Sequence, residues 1–396
     1  MNSSALKSLL FATCLTGLAG TAVADEAWRE QAGIGEFAPV SQDWDQIEAA
    51  AREEGEVVIY SVSSRIAKLV DGFHERYGIK IVGYDIPSDL QIEKLRREHA
   101  AGINSVDVLF NSDISLLQNE ALPKELVWNF QPEPVTGALD EAEKTPFLVQ
   151  RHSSRVVFYN TALNPDGPPI DSLWDLTRPE WQGRTLLPSP LEDGLSANFL
   201  QTILAHPDEM AAAYEREFGS PVEFSEIVVE VAEENPLIEA PDASMEWLYR
   251  FMKNKPVFQG STSKIFKNVA DVKQDNPPLG ITSFSKMRSN KDGVYAARPI
   301  LELDPVFGVT YPTVLVMADM APHPNAAKLL IRYMMEKEGL KPWNEPGDYA
   351  ASSAFEAEQV EAFDIPAFDT LKLWPIDPDE VYFSKHNFLA LFLALS

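Results

Sequence analysis

The chain has 396 residues, of which 45% are hydrophobic and 23% charged, and a formal net charge of −27 at pH 7. That length asks for roughly two domains and supplies apolar material for a core in each. The acidity excludes binding to nucleic acid through a general electrostatic field, so any anion must be captured by a local site.

Residues 1–24 read as an export signal: Lys7 supplies the positive start, 8–20 is mostly apolar, and Ala22-Val23-Ala24 fits a small-x-small cleavage site before Asp25. The apolar run is too short to span a bilayer. Cleavage after about Ala24 delivers a periplasmic chain, and the single cysteine, Cys14, leaves with the signal. The mature protein is therefore expected to have no disulfide and no thiol chemistry.

Residues 44–54 have the periodicity of an amphipathic helix ended by Gly55, and EVVIYS (56–61) is the continuous apolar run of a strand buried on both faces. The segment SVSSR closes that strand and opens a helix, IAKLVDGFHERYG; a strand at 80–84, a helix at about 88–101 and a strand at 106–110 follow. Strand, helix, strand, helix, strand with short connections is the pattern of a doubly wound α/β domain. Ligands in such sheets sit beyond the carboxyl ends of the strands, which puts Tyr60, Ser63, Ser64, Arg65, Asn111 and Asp113 on one rim. Arg65 stands out, because a cation in the first turn of a helix opposes the macrodipole and asks for another partner.

The crossover stretch 153–199 begins with a β-branched and aromatic run and breaks at the Asn, Pro, Asp and Gly of 160–169. Ser172 caps a short helix, LWDLTRPEW, that ends at Gly183. A strand at 185–187 then leads through 188–194 into a helix start, where Ser189, Asp193, Gly194 and Ser196 lie close to free backbone N–H groups. Residues 201–218 and 245–254 read as helices and 256–260 as a short strand, and Ser261, Thr262 and Ser263 repeat the hydroxyl-rich helix start. Strands at 279–284, 297–303 and 308–317 bring the chain back toward the first domain. His323, between two prolines at the start of LLIRYMMEKEG, reads as a capping or packing histidine, and the apolar tail FLALFLALS is expected to pack against the first domain.

Enzyme motifs are mostly absent: there is no G-x-S-x-G, no phosphate-binding P-loop, no H-E-x-x-H and no G-x-G-x-x-G, and the six histidines are scattered singly. What recurs is the hydroxyl-rich loop at a helix start, in both halves of the chain. VVIYSVSSR with FHERYGIKI, VDVLF, VVFYNTALN with SLWDLTRPEWQGR, and APHPNAAKLLIRYMMEKEG, in this order and spacing over about residues 55–345, resemble the periplasmic solute-binding proteins of ABC importers. The resemblance is to the type 2 cluster that includes ferric-iron, phosphonate and sugar-phosphate binders.

The resemblance implies two doubly wound α/β lobes joined by hinge strands and closing on a ligand, with 40–152 and 286–396 as one lobe and 153–285 as the other. It also implies a membrane permease as partner, a monomeric chain, no cofactor and no catalysis. Ferric binders of this cluster use adjacent tyrosines, and this sequence has no Tyr-Tyr pair. Hydroxyls, helix-start N–H groups and an arginine suit a small organic anion, such as a phosphorylated, phosphonate or carboxylate compound. Its expected site is Tyr60, Ser63, Ser64, Arg65, Asn111, Asp113 and Tyr311 from one lobe, facing Ser189, Asp193, Gly194, Ser196, Ser261, Thr262 and Ser263 from the other. An amine or hydroxyl on the same ligand would meet Asp113 or Asp193. A ferric-binding importer component is the alternative, and a secreted enzyme on the same fold the second.

Overall fold

The computed structural model describes residues 26–396, so the expected export signal lies outside the described residues. One continuous sheet runs through the protein in the order Lys80–Asp85, Glu56–Ser61, Val108–Asn111, Gly308–Ala318, Leu148–Asn160, Leu279–Ser283, Thr185–Leu187 and Val257–Phe258. The first three strands are parallel, as are the last three. Between the two groups lie two long antiparallel strands, Leu148–Asn160 and Gly308–Ala318, which pair with each other and pass from one lobe into the other. At one end Val314–Met317 joins Val108–Asn111; at the other Arg155–Phe158 joins Gly280–Ser283. These are the hinge strands. At Gly308 an added Cβ would lie 2.3 Å from the Arg155 carbonyl oxygen, so only glycine permits this approach.

Each lobe packs helices on both faces of its part of the sheet. In the first, one face buries Phe73, Leu329, Leu330 and Met334 and the other Ile92, Leu95, Leu117 and Phe147. In the second, Trp174, Phe199, Trp247 and Phe251 cover one face and Ile265, Phe266 and Phe284 the other. His323 is structural, as its sequence context suggests: its backbone N–H and ring Nδ1 meet the buried Asp107 carboxylate at 2.7 and 3.0 Å.

Proline accounts for two departures from the sequence reading. The expected helix 201–218 is two helices, Gly194–Leu204 and Pro207–Phe218, because Pro207 cannot continue the first and starts the second at its N1 position. LWDLTRPEW is likewise two 3-10 turns, Leu173–Thr177 and Pro179–Trp181, with Arg178 extended as the residue before a proline prefers. The Ser172 cap is present and is reciprocated by Asp175.

The C-terminal segment corrects an expectation. Phe388, Leu391, Phe392 and Leu395 pack with Trp174 and Trp247 of the second lobe, not against the first domain, and Leu373–Pro375 pairs with Gly308–Thr310. Only the start of the helix Pro378–Ala394 reaches the first lobe, where Asp379 accepts from Gln118 and Asn119 at 2.7 and 3.1 Å. No helix among the described residues is long and apolar enough to cross a membrane.

Candidate functional site

The carboxyl ends of the parallel strands in the two lobes line two adjoining cavities, of about 310 and 550 Å³. The floor of the smaller one is a face of the hinge. Side chains at alternate strand positions share a face, so Arg151, Ser153 and Arg155 project together, as do Tyr311 and Thr313. The pairing sets Thr313 opposite Arg151, Tyr311 opposite Ser153, and Ser283 opposite Arg155. The register slips between Thr313 and Val314, a bulge that lets the arginine face point at the cavity while Gln150 bonds the Met334 carbonyl.

A short strand, Asp348–Ala350, pairs beside this face with Asp348 opposite Ser153. Gly347 delivers it with φ 83°, where an added Cβ would come within 2.4 Å of the Phe284 ring. Asp348 accepts from Ser153 Oγ at 2.7 Å and Arg65 Nη2 at 2.9 Å, with Arg151 Nε 3.6 Å away. Burial pushes its carboxyl up, but Arg151 and Arg65 pull harder and hold it below its ordinary 3.8. This carboxylate therefore contributes stability that is fully present at neutral pH and is lost as pH falls through the depressed folded-state value.

Five cations line the small cavity: Arg65, Arg151, Arg155, Lys286 and Arg288. Burial takes Arg151 down to about 10, so it stays charged at neutral pH. Arg155 is 2% exposed; its Nη2 meets Asp193 Oδ1 at 2.5 Å, while Nε and Nη1 are buried with no partner. Burial, aided by Arg288 and Arg65, brings Lys286 down to about 8, and its Nζ donates to Ser263 Oγ at 3.0 Å. Burial also lowers Arg288.

The sequence-chosen residues distribute unevenly over this geometry. Ser63, Ser64, Arg65, Asp193, Thr262 and Tyr311 line the small cavity; Asp113, Ser189, Gly194 and Ser261 line the large one, which Asp193 and Thr262 share. Ser263 stands behind Lys286. Three others lie elsewhere. Tyr60 packs among Ile92 and Leu95 with its hydroxyl on Glu98 and Ser105, because its side chain points to the helix-covered face of its strand. Asn111 is spent on the Ser88 carbonyl, Gln91 and the Asp113 N–H. Ser196 Oγ is buried without a partner and lines neither cavity.

Two expected donors are already engaged. Asp193 occupies the start of the helix Gly194–Leu204, accepting from Ser196 N at 2.7 Å, so the free N–H groups expected there face a carboxylate. Arg65 is tied to Asp348, to the Pro342 carbonyl and to Ser63 Oγ. Sequence reasoning missed Arg151, Arg155, Lys286, Arg288 and Asp348. The signal for the first two was present: two arginines four residues apart, and so on one face, in a single strand.

Tyr311 is the one tyrosine lining either cavity among the described residues; burial raises its pKa although Arg155 opposes this. Asp171, Asp175 and Glu217 form the one described group of His, Cys, Asp or Glu that converges to metal-binding distance. It lies outside the cleft, and Arg178 bridges Asp175 and Glu217.

No protein-family model matches the sequence, and no curated protein is significantly similar to it. Solved structures are similar over 86% of this chain. Iron-bound HitA from Pseudomonas aeruginosa aligns over 99% of its own length with TM-score 0.62 and 16% identity. The apo ferric ion-binding protein A from Pasteurella haemolytica aligns over 98% with TM-score 0.61 and 17% identity. The substrate binding protein of an ABC transporter from Agrobacterium tumefaciens aligns over 94% with TM-score 0.62 and 14% identity. The chain thus has the two-lobed α/β fold of periplasmic binding proteins, and the expected fold class is what is found.

Proposed function

We propose that the protein is the extracytoplasmic solute-binding component of an ABC importer, and that its lobes close on a small organic anion: a phosphorylated, phosphonate or carboxylate compound. One observation carries the ligand class. A chain of net charge −27 gathers five cations around one cavity, and the most buried guanidinium lining it, Arg155, has two nitrogens, Nε and Nη1, without partners. Unpaired buried donors are costly, and an oxyanion that accepts from them relieves that cost with charge-assisted bonds. The ABC permease follows from the same reading, as the fold's solved examples include a transporter's substrate-binding protein. The absence of an enzyme motif from the sequence favours binding over turnover.

Lys286 gives this reading a pH signature. Its folded-state value near 8 lies below the ordinary 10.5, so its charge costs stability below about 8, and the cost fades as pH rises toward 10.5. A bound anion favours the charged form. Binding is therefore expected to take up a proton above about pH 8 and to weaken from neutral pH to about pH 10, as read by titration calorimetry in buffers of different ionisation enthalpy. No proton uptake, and affinity flat across that range, would contradict it.

The iron reading draws on solved neighbours described as ferric binders. Against it stand a single cleft tyrosine and a wall dominated by cations, which repel Fe(III). Adding ferric citrate to the purified protein is expected to give no visible tyrosinate-to-iron absorbance. A strong visible band would turn the assignment to iron.

A further inference from the structure

The two chambers of the cleft carry opposite charge. Arg65, Arg151, Arg155, Lys286 and Arg288 outnumber Asp85, Asp193 and Asp348 in the wall of the smaller; Asp85, Asp89, Asp113, Glu192 and Asp193 line the larger, with neither Lys nor Arg in its wall. The chambers adjoin, sharing Val62, Asp85, Asp193, Leu195 and Thr262. Within the acidic chamber Asp113 is set apart. It is 8% exposed, and its Oδ1 is taken by Ser115 Oγ at 2.6 Å and Leu116 N at 3.1 Å. Its Oδ2 has no hydrogen-bond partner among the described residues and faces the other lobe, 3.9 Å from where a Cβ on Gly194 would sit. Lys385 attracts it only from beyond ion-pairing distance. Asp193, by contrast, is committed to Arg155 and to the helix start.

We infer that the solute is dipolar, with an anionic head on Arg155 and its neighbours and a protonated amine at its far end on Asp113. This rests on the anion reading above and narrows it to a class of ligand. A carboxylate oxygen that lines a cavity and has no donor of its own is an open acceptor, and an ammonium supplies three donors and the opposite charge at once. A metal ion fits the chamber less well, because it needs several oxygens converging on one point. The one described carboxylate group that converges so closely is Asp171, Asp175 and Glu217, outside the cleft. The chamber's acids are spread along its wall, an arrangement suited to the end of a flexible organic chain.

The test is titration calorimetry of the full protein with matched pairs differing only in a terminal amine: aminobutylphosphonate against butylphosphonate, and aminohexanoate against hexanoate. The amine-bearing member of a pair is expected to bind about tenfold or more tightly. Asp113→Asn, whose amide oxygen still caps the turn at Ile114, is expected to bring that ratio close to unity. Equal affinity within the pairs overturns the dipolar ligand while leaving the anion site standing, and so does an amine preference that survives in Asp113→Asn. If no member of any pair binds, the anion site itself falls and this inference with it. The comparison within wild-type protein needs no variant to fold.

Discussion

Replacing Arg155 by methionine is expected to weaken binding of the anionic solute about 100-fold or more, with little change in the melting temperature of the unliganded protein. Hydrogen bonds to charged groups contribute about 1.5–3 kcal/mol each, and Arg155, which lines the cavity, has two nitrogens, Nε and Nη1, without a partner. Losing both exceeds the ~2.7 kcal/mol that corresponds to 100-fold. The free protein tolerates the change because the guanidinium's charge is itself costly to bury, and methionine keeps much of its apolar stem. Its carboxylate partner, Asp193, has a side chain 35% exposed and can return to water. Calorimetry and thermal unfolding on the same preparation separate the two effects. Undiminished affinity would remove Arg155 from the site.

Replacing Asp348 by alanine is expected to destabilise the protein itself by about 3–5 kcal/mol, read by urea unfolding at neutral pH. The carboxylate faces Arg65 and Arg151, whose side chains are 15% and 6% exposed, and it accepts from the Ser153 hydroxyl. Its removal leaves two cations and a hydroxyl without their counterpart at the point where the returning chain meets the hinge. Because the Asp348 carboxyl titrates below 3.8 in the folded protein, the difference between wild type and variant should shrink as pH falls through that value. An excess of a tightly bound anion should restore part of the loss, both by mass action and by supplying the missing negative charge. A cost below about 1 kcal/mol would mean that the arginines find other partners.

Much of the fold was legible because its signals are local. EVVIYS is mostly apolar and is followed by a polar loop and a helical pattern ending at Gly78; the structure shows the strand and a helix at Val70–Tyr77, with the expected first turns, Ser64–Leu69, wound as 3-10 instead. The rim loops were legible for the same reason: a parallel strand must hand over to a helix at its carboxyl end, and hydroxyl-rich segments mark where. The chemistry of the cleft depended on information no segment contains. That Arg151 and Arg155 share a face follows from their spacing, but which face meets the cavity is fixed by the slip beside Gln150. Asp348 sits 195 positions from the serine it bonds and reaches it through a backbone turn that only Gly347 can make. Tyr60 misled because a strand's last residues alternate between rim and core, and its alternate position points into the core. The tail misled because an apolar helix names no partner; the cluster around Trp174 and Trp247 took it.

The central claim, that the cleft holds a small organic anion, is tested most directly by native mass spectrometry of freshly purified protein, followed by identification of whatever is released on denaturation. The expected result is a bound phosphorylated, phosphonate or carboxylate compound, one per chain, lost from the Arg155→Met variant. A bare iron ion released in its place, or an organic ligand retained equally by that variant, would contradict the claim.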